Sequence, residues 1–177
     1  MWGVNYWTDS FQDRAGITAQ PVTETELEAV TRYFAEQLTA AADSVPRDEN
    51  GLYAVPKVQI LEESTAVYGG VTELYPFLRF RDTGVKAVRC SRLMSIMGFT
   101  GVYFSCIGES NVNVDSPACL LPSTIAHELA HQRGIAWEQE CNFLGVLASV
   151  TSGLPDYAYS GWLLGFIHLG NALYDTD

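Results

Sequence analysis

Residues 121–134 read LPSTIAHELAHQRG, and this stretch largely decides which fold the sequence predicts. Proline and serine near its start are typical of a helix N-terminus, and glycine commonly ends a helix in the left-handed conformation, as Gly134 can. The pattern therefore predicts a helix from about Ser123 to Arg133. The apolar positions of this helix favour burial of most of its surface, and they are Ile125, Ala126, Leu129 and Ala130.

The predicted helix contains the sequence HELAH at residues 127–131. Residues i and i+4 lie one above the other on a helix face, so His127 and His131 can bind the same metal ion. Glu128 is offset by one position and can accept a proton from a metal-bound water, which is the chemistry of the H-E-x-x-H motif. Two of the chain's three histidines occupy this motif. We therefore predict a Zn²⁺ site with His127 and His131 as ligands and Glu128 as the catalytic base, rather than a solvated helix face.

A catalytic zinc site needs a third protein ligand, and the sequence leaves two candidates for it. The extended H-E-x-x-H-x-x-G-x-x-H pattern requires histidine at position 137, where this chain has Trp137, so the metzincin pattern is excluded. Glu138 and Glu140 both stand at the head of the next predicted helix. We favour Glu140, because ECN at 140–142 resembles the Glu-Ala-Asp or Glu-Ala-Asn signature of glutamate-type zinc peptidases. Glu138 also has a structural explanation, since the helix dipole favours a carboxylate in the first turn.

Side chains that support the metal and the substrate are harder to assign. A metal-bound histidine usually donates its other N–H to an acceptor, and the candidate acceptors are Glu109, Asp115, Glu138 and Asn142. A tetrahedral intermediate requires a donor beside the metal, and the candidate donors are Arg133, Tyr157, Tyr159 and His168. Each has an ordinary structural explanation as well, and His168 in an apolar helix is typical of a core histidine.

Outside the motif, the sequence predicts a single α+β domain over residues 1–177, mostly helical, with a small sheet or hairpin before the motif helix. A capping box at Thr23–Glu26 begins a helix that reaches about Asp43. The predicted hairpin strands are 101–107 and 112–114, and two further helices are predicted at 138–151 and 160–173. The strand at 101–107 can present an edge to an extended peptide, or it can be an ordinary core strand.

Composition excludes several classes of protein. The formal net charge of −11 would repel phosphate backbones, so we expect no nucleic-acid partner. The four cysteines form no C-x-x-C pair, which excludes a cysteine zinc site of that type.

No apolar run reaches the roughly 20 residues of a membrane span. The N-terminal aromatics Trp2, Tyr6 and Trp7 nevertheless suggest that residues 1–20 are a juxtamembrane stub, the alternative being that they fold onto the domain.

Three stretches carry a resemblance to a known family: GESNVN at 108–113, the motif region at 121–136 and EQECNFL at 138–144. They resemble an uncharacterised family of bacterial membrane proteins with a zincin-like metallopeptidase domain. WGVNY at 2–6 resembles the segment that follows the transmembrane helices of that family, and YSGWL at 159–163 is similar to its C-terminal part. The resemblance implies a zincin-like fold and a membrane-associated protein whose domain lies outside the cytoplasm. Cys141 departs from the expected alanine.

These patterns together predict a zinc-dependent hydrolase, a metallopeptidase that cleaves a peptide or protein substrate with Glu128 as general base. The alternative from another class is a non-catalytic metal-binding regulatory or sensor domain of a membrane protein, in which four protein ligands close the site. A third possibility is hydrolysis of a non-peptide amide, for example in a cell wall.

Overall fold

The computed structural model describes residues 7–175 and shows a mostly helical α+β architecture, as the sequence predicts. Within these residues there are eight α-helices and three short β-strands. The helices are α1 (Phe11–Ala15), α2 (Glu24–Ala42), α3 (Lys57–Glu63), α4 (Gly69–Leu74), α5 (Ser91–Ile96), α6 (Leu121–Gln132), α7 (Glu138–Thr151) and α8 (Pro155–Tyr174). The strands are β1 (Lys86–Ala87), β2 (Gly101–Phe104) and β3 (Glu109–Val112).

Helix α6, which carries the HELAH motif, lies at the centre of the core. It contacts α7, α8, β2 and β3, and its four apolar positions between residues 125 and 130 are at most 1% exposed. Burial of a large apolar side chain contributes roughly 1.5–3 kcal/mol, so these contacts hold the helix firmly in place. The predicted helix is therefore confirmed, with a start two residues earlier than expected and with Gly134 at φ +82° just past its end. Because the helix is buried, its polar side chains need partners.

The sheet has the strand order β1-β3-β2, which places β2 at an edge. Strands β2 and β3 form the predicted antiparallel hairpin, with Gly101 opposite Val112 and Phe104 opposite Glu109. Strand β3 begins at Glu109 rather than at Val112, because Gly108 adopts a positive φ of +69° and turns the chain back immediately. Strand β2 also contacts α6, so the edge strand lies beside the motif.

The remaining predicted helices are confirmed with one change of boundary. Helix α2 begins with the predicted capping box, in which Thr23 and Glu26 bond to each other's backbone N–H. Helix α7 has the predicted bounds. Helix α8 begins at Pro155 instead of Ser160, because proline fits the first turn of a helix and Gly153, at φ +76°, has already ended the preceding segment. Helices α7 and α8 pack against each other and against α6.

The N-terminal segment is partly folded onto the domain. Residues 1–6, which include Trp2 and Tyr6 and the whole WGVNY stretch, lie outside the described residues. Trp7 is 91% exposed, whereas Phe11 of α1 is only 2% exposed and belongs to the core. The end of the predicted stub is therefore part of the domain. Among residues 7–175, no helix combines the length and the apolar character needed to cross a bilayer.

Candidate metal centre

The two motif histidines lie side by side on consecutive turns of α6. Their ring centroids are 5.0 Å apart, at an interplanar angle of 77°. Both Nε2 atoms approach the carboxylate of Glu138 at the head of α7: Oε2 is 3.2 Å from His127, and Oε1 is 3.5 Å from His131. Three side chains from two helices therefore meet with their potential ligand atoms 3.2 and 3.5 Å apart, which is compatible with a shared cation.

Hydrogen bonds on the far side of each ring fix its orientation. Nδ1 of His131 lies 2.9 Å from the carbonyl oxygen of Ile135, and Nδ1 of His127 lies 2.8 Å from Oδ1 of Asn142. Because these oxygens only accept, each Nδ1 donates its proton, and a neutral ring then presents a lone pair at Nε2. Two lone pairs and a carboxylate facing one another repel unless a proton or a cation lies between them. The donor set therefore fits a divalent cation such as Zn²⁺.

Burial and neighbouring charges shift the pKa of all three groups. Burial lowers the pKa of His127, but its hydrogen bond to Glu138 and the charges of Glu128 and Glu138 outweigh that effect, so the net pKa is raised. Burial is the main reason that the pKa of His131 is lowered. The hydrogen bond with His127 lowers the pKa of Glu138, so this carboxylate stays charged at neutral pH.

Glu140, which we favoured as the third ligand, does not reach the histidines. It is 4% exposed, and its two carboxylate oxygens accept hydrogen bonds from the backbone N–H groups of Phe11, at 2.9 Å, and Gln12, at 3.1 Å. The prediction of Glu140 is therefore wrong, and Glu138 is the carboxylate in position. The reason is helical geometry: residues two apart on a helix point about 200° away from each other, so only one of the pair can face α6.

Glu128 is buried beside the two histidines, under the edge strand. It is 5% exposed, and its Oε2 has no hydrogen-bond partner among the described residues. The backbone of β2 approaches it so closely that a Cβ atom at Gly101 would lie 2.3 Å from Oε1. Burial raises the pKa of Glu128 to about 7, where a carboxylate can both accept and release a proton. A buried carboxylate with an unpartnered oxygen is suited to take a proton from a bound molecule.

The three converging side chains and Glu128 line a cleft of about 560 Å³. One wall is β2, where the ring of Tyr103 stacks parallel to that of His131 at 6.4 Å. Thr124, Leu164 and His168 complete the wall on the helical side. Among residues 7–175, no lysine or arginine lines the cleft, and its acidic side chains are Glu128 and Glu138.

Comparison with known proteins places this chain in a family. A family model described as "Protein of unknown function (DUF3810)" matches residues 1–177. The chain belongs to the DUF3810 family. No curated protein and no solved structure gives a significant match to it. The function of this DUF3810 domain therefore has to be argued from the site itself.

The structure of the DUF3810 domain separates the other predicted site residues into two groups. Asn142 supports His127 as predicted, and His168 lines the cleft as an exposed residue instead of lying in the core. The remaining five contact other partners and do not line the cleft, so the structure does not place them in the roles considered for them. Glu109 pairs with Lys86, Asp115 accepts from Ser95, Arg133 pairs with Asp82, Tyr157 donates to Ile60, and Tyr159 stacks on Tyr53.

Two wall residues were not foreseen, although the sequence contains a signal for one of them. Thr124 precedes His127 by three positions, so helical spacing places it on the same face. Tyr103 reaches the site only because the hairpin packs on α6, and no local pattern indicates this contact. Tertiary packing alone brings Tyr103 and His131 together.

Cys141 lies against the back of the site. Its Sγ is 3.3 Å from Nδ1 of His131 and 3.5 Å from the carbonyl oxygen of Ile135. Potential ligand atoms of His127, His131 and Cys141 lie within 4.8 Å of one another. Burial raises the pKa of the Cys141 thiol, so the sulfur is protonated while no cation is bound to it. The contacts of Cys141 are on the Nδ1 side of His131, whereas Glu138 is on the Nε2 side.

Proposed function

We propose that this domain is a zinc-dependent hydrolase, a zincin-like metallopeptidase in which His127, His131 and Glu138 hold the metal. The observation that carries the proposal is the convergence of two imidazole Nε2 atoms and one carboxylate, at 3.2 and 3.5 Å, beside a buried glutamate with an unpartnered oxygen. Three protein ligands leave one coordination position for water or substrate, as catalytic zinc sites do.

In the proposed hydrolysis, the metal and the side chains have different roles. His127, His131 and Glu138 would hold Zn²⁺, which when bound would lower the pKa of its water to about 7 and polarise a scissile carbonyl. Glu128 would take the proton of the attacking water and deliver it to the leaving amine. Asn142 and the Ile135 carbonyl keep the two imidazoles in the tautomer that presents Nε2 to the cleft.

The cleft favours an extended peptide as substrate. Strand β2 is an edge strand that forms one wall, and a peptide can pair with such an edge through its main chain. Because no lysine or arginine of the described residues lines the cleft, no such side chain is present to pair with a terminal carboxylate, which favours cleavage within a chain. Cleavage of a non-peptide amide is the competing outcome, and a screen of peptides against cell-wall fragments separates the two. We also propose that the protein is membrane-associated and that this domain lies outside the cytoplasm. Only the sequence resemblance supports these two points.

The second candidate function is a non-catalytic metal sensor, which the proximity of Cys141 favours. A structural zinc site is closed by four protein ligands, so the thiol would have to lose its proton and bind the ion. Cys141→Ser distinguishes the two functions. In the hydrolase, zinc stoichiometry and the number of protein ligands stay unchanged, whereas in the sensor the site loses a ligand and most of its affinity.

The proposed function is tested with zinc content and peptide hydrolysis measured on the same samples. Glu128→Gln should keep one zinc per chain and lose hydrolysis, while His131→Ala should lose both. Glu62→Gln, an exposed glutamate on α3, is the control and should change neither. A wild-type chain without stoichiometric zinc, or a Glu128→Gln variant that cleaves peptides as well as the wild type, would refute the proposal.

A further inference from the structure

The first turn of α7 carries two glutamates whose side chains point to opposite sides of the helix. Glu138 faces the histidine pair, and Glu140 faces the N-terminal segment. The two positions belong to one rigid turn, so a displacement of one carboxylate displaces the other. The N-terminal segment and the candidate metal centre therefore share a single structural support.

The contact with the N-terminal segment is strong and buried. Glu140 accepts two backbone hydrogen bonds, at 2.9 and 3.1 Å, and charge-assisted bonds of this kind are about twice as strong as neutral ones. Phe11 covers the contact, because its ring centroid lies 5.8 Å from that of Phe143, one turn further along α7. Its other aromatic neighbours are Tyr75 and Phe77.

The segment itself is well ordered around this contact. Ser10 and Asp13 form a reciprocal capping box at the start of α1, and Gly16 closes its end at φ +66°. Arg14 donates to the carbonyl oxygen of Phe77 at 3.2 Å. Residues 10–16 therefore dock as one unit, which we call the N-terminal latch.

We propose that Glu140 is a positioning residue that couples docking of the N-terminal latch to the placement of Glu138 at the metal centre. If the latch leaves, Glu140 loses both of its hydrogen-bond donors together with the residues that cover it, so the first turn of α7 loses the contact that fixes its position. Loss of this contact lets Glu138 move away from the histidines. Docking or release of the latch thereby controls metal affinity. This inference rests on the proposed function, because it assigns the regulation of the same site.

Thermodynamic reciprocity gives the first test and needs no variant. If docking of the latch strengthens zinc binding by some factor, zinc binding must strengthen docking by the same factor. Amide hydrogen exchange of the wild-type chain is measured with and without zinc. We expect zinc to slow exchange at Phe11 and Gln12, and exchange rates at these amides that do not respond to zinc would overturn the inference.

The second test uses Glu140→Gln, which keeps the size of the side chain and removes its charge. Loss of a residue that supports a metal ligand typically weakens metal binding roughly 10- to 100-fold, and we expect a change of this size in the zinc dissociation constant. The visible spectrum of the cobalt(II)-substituted chain should also change, because it reports ligand geometry. Glu26→Gln is the matched control, since Glu26 likewise accepts a backbone N–H, from Thr23 at 2.9 Å, but lies on α2. Equal affinities and spectra for the two variants would overturn the inference.

A metal-free measurement separates failure of this inference from failure of the proposed function. The imidazole NMR signals of His127 and His131 report contact with Glu138, and in Glu140→Gln we expect both to shift while those of Glu26→Gln stay unchanged. Absence of zinc binding by the wild type refutes the proposed function. Unchanged imidazole signals in Glu140→Gln refute the coupling, whether or not zinc binds.

Discussion

Replacement of Gly101 by alanine tests the close approach of β2 to Glu128, the proposed catalytic base. A Cβ atom at this position would lie 2.3 Å from Oε1 of Glu128 and 2.7 Å from its Cδ and Cγ atoms, whereas ordinary contacts begin at 3.4 Å. The carboxylate must therefore retreat by about 1 Å, the difference between 3.4 and 2.3 Å. Glu128 is buried on its other sides, so the displacement changes its position relative to the histidines.

A misplacement of about 1 Å in a catalytic group costs about 100-fold in rate, which corresponds to about 2.7 kcal/mol of transition-state stabilisation. We expect kcat of Gly101→Ala to fall by about this factor, because the moved group acts in the chemical step. KM and zinc content should stay near their wild-type values. A raised KM with unchanged kcat would instead indicate that β2 acts only in holding the peptide.

The assay is steady-state hydrolysis of a quenched fluorescent peptide by wild-type and variant chains, together with zinc content and thermal unfolding. Gly84→Ala is the control, because a Cβ atom there meets no atom within 4 Å and its φ is not positive. Wild-type kcat in Gly101→Ala, with the fold intact, would refute the reasoning about this contact.

Three further predictions concern the support of the site and the stability of the fold. Asn142→Ala removes the acceptor of His127 and should weaken zinc binding roughly 10- to 100-fold in competition titrations, and an unchanged dissociation constant would contradict its role. Gly145→Ala places a Cβ atom 3.2 Å from the backbone nitrogen of His127, so thermal unfolding should show a loss of stability of about 1 kcal/mol. A variant as stable as the wild type would show that α6 and α7 can move apart at this contact without a cost in stability. Burial and the neighbouring Glu63 raise the pKa of Asp156 to about 6, so the folded state loses stability as the pH rises from about 4 to 6. Asp156→Asn should therefore raise the free energy of unfolding by about 1–2 kcal/mol at pH 7.5, after allowance for solvent screening, and by little at pH 4. The measurement is the shift of the urea unfolding midpoint, and equal shifts at both pH values would refute this prediction.

The sequence alone determined the features that depend on neighbouring residues. The i and i+4 spacing of His127 and His131 is a property of one helix, and α6 forms because its start, its end and its apolar face agree. The capping box at Thr23 and the bounds of α7 could be predicted for the same reason. Hydrogen bonds within a helix or hairpin connect residues close in the chain, so short patterns carry enough information to place them.

Tertiary structure decided which carboxylate lies beside the histidines and what surrounds it. Glu138 and Glu140 stand only two residues apart in sequence, and the packing of α7 against α6 turns Glu138 to the histidines and Glu140 to Phe11. The contacts of Gly101 with Glu128 and of Tyr103 with His131 likewise join elements that no local pattern connects. The physical reason is that the free energy of these choices comes from burial and contact between distant segments, and a sequence read along the chain does not contain those distances.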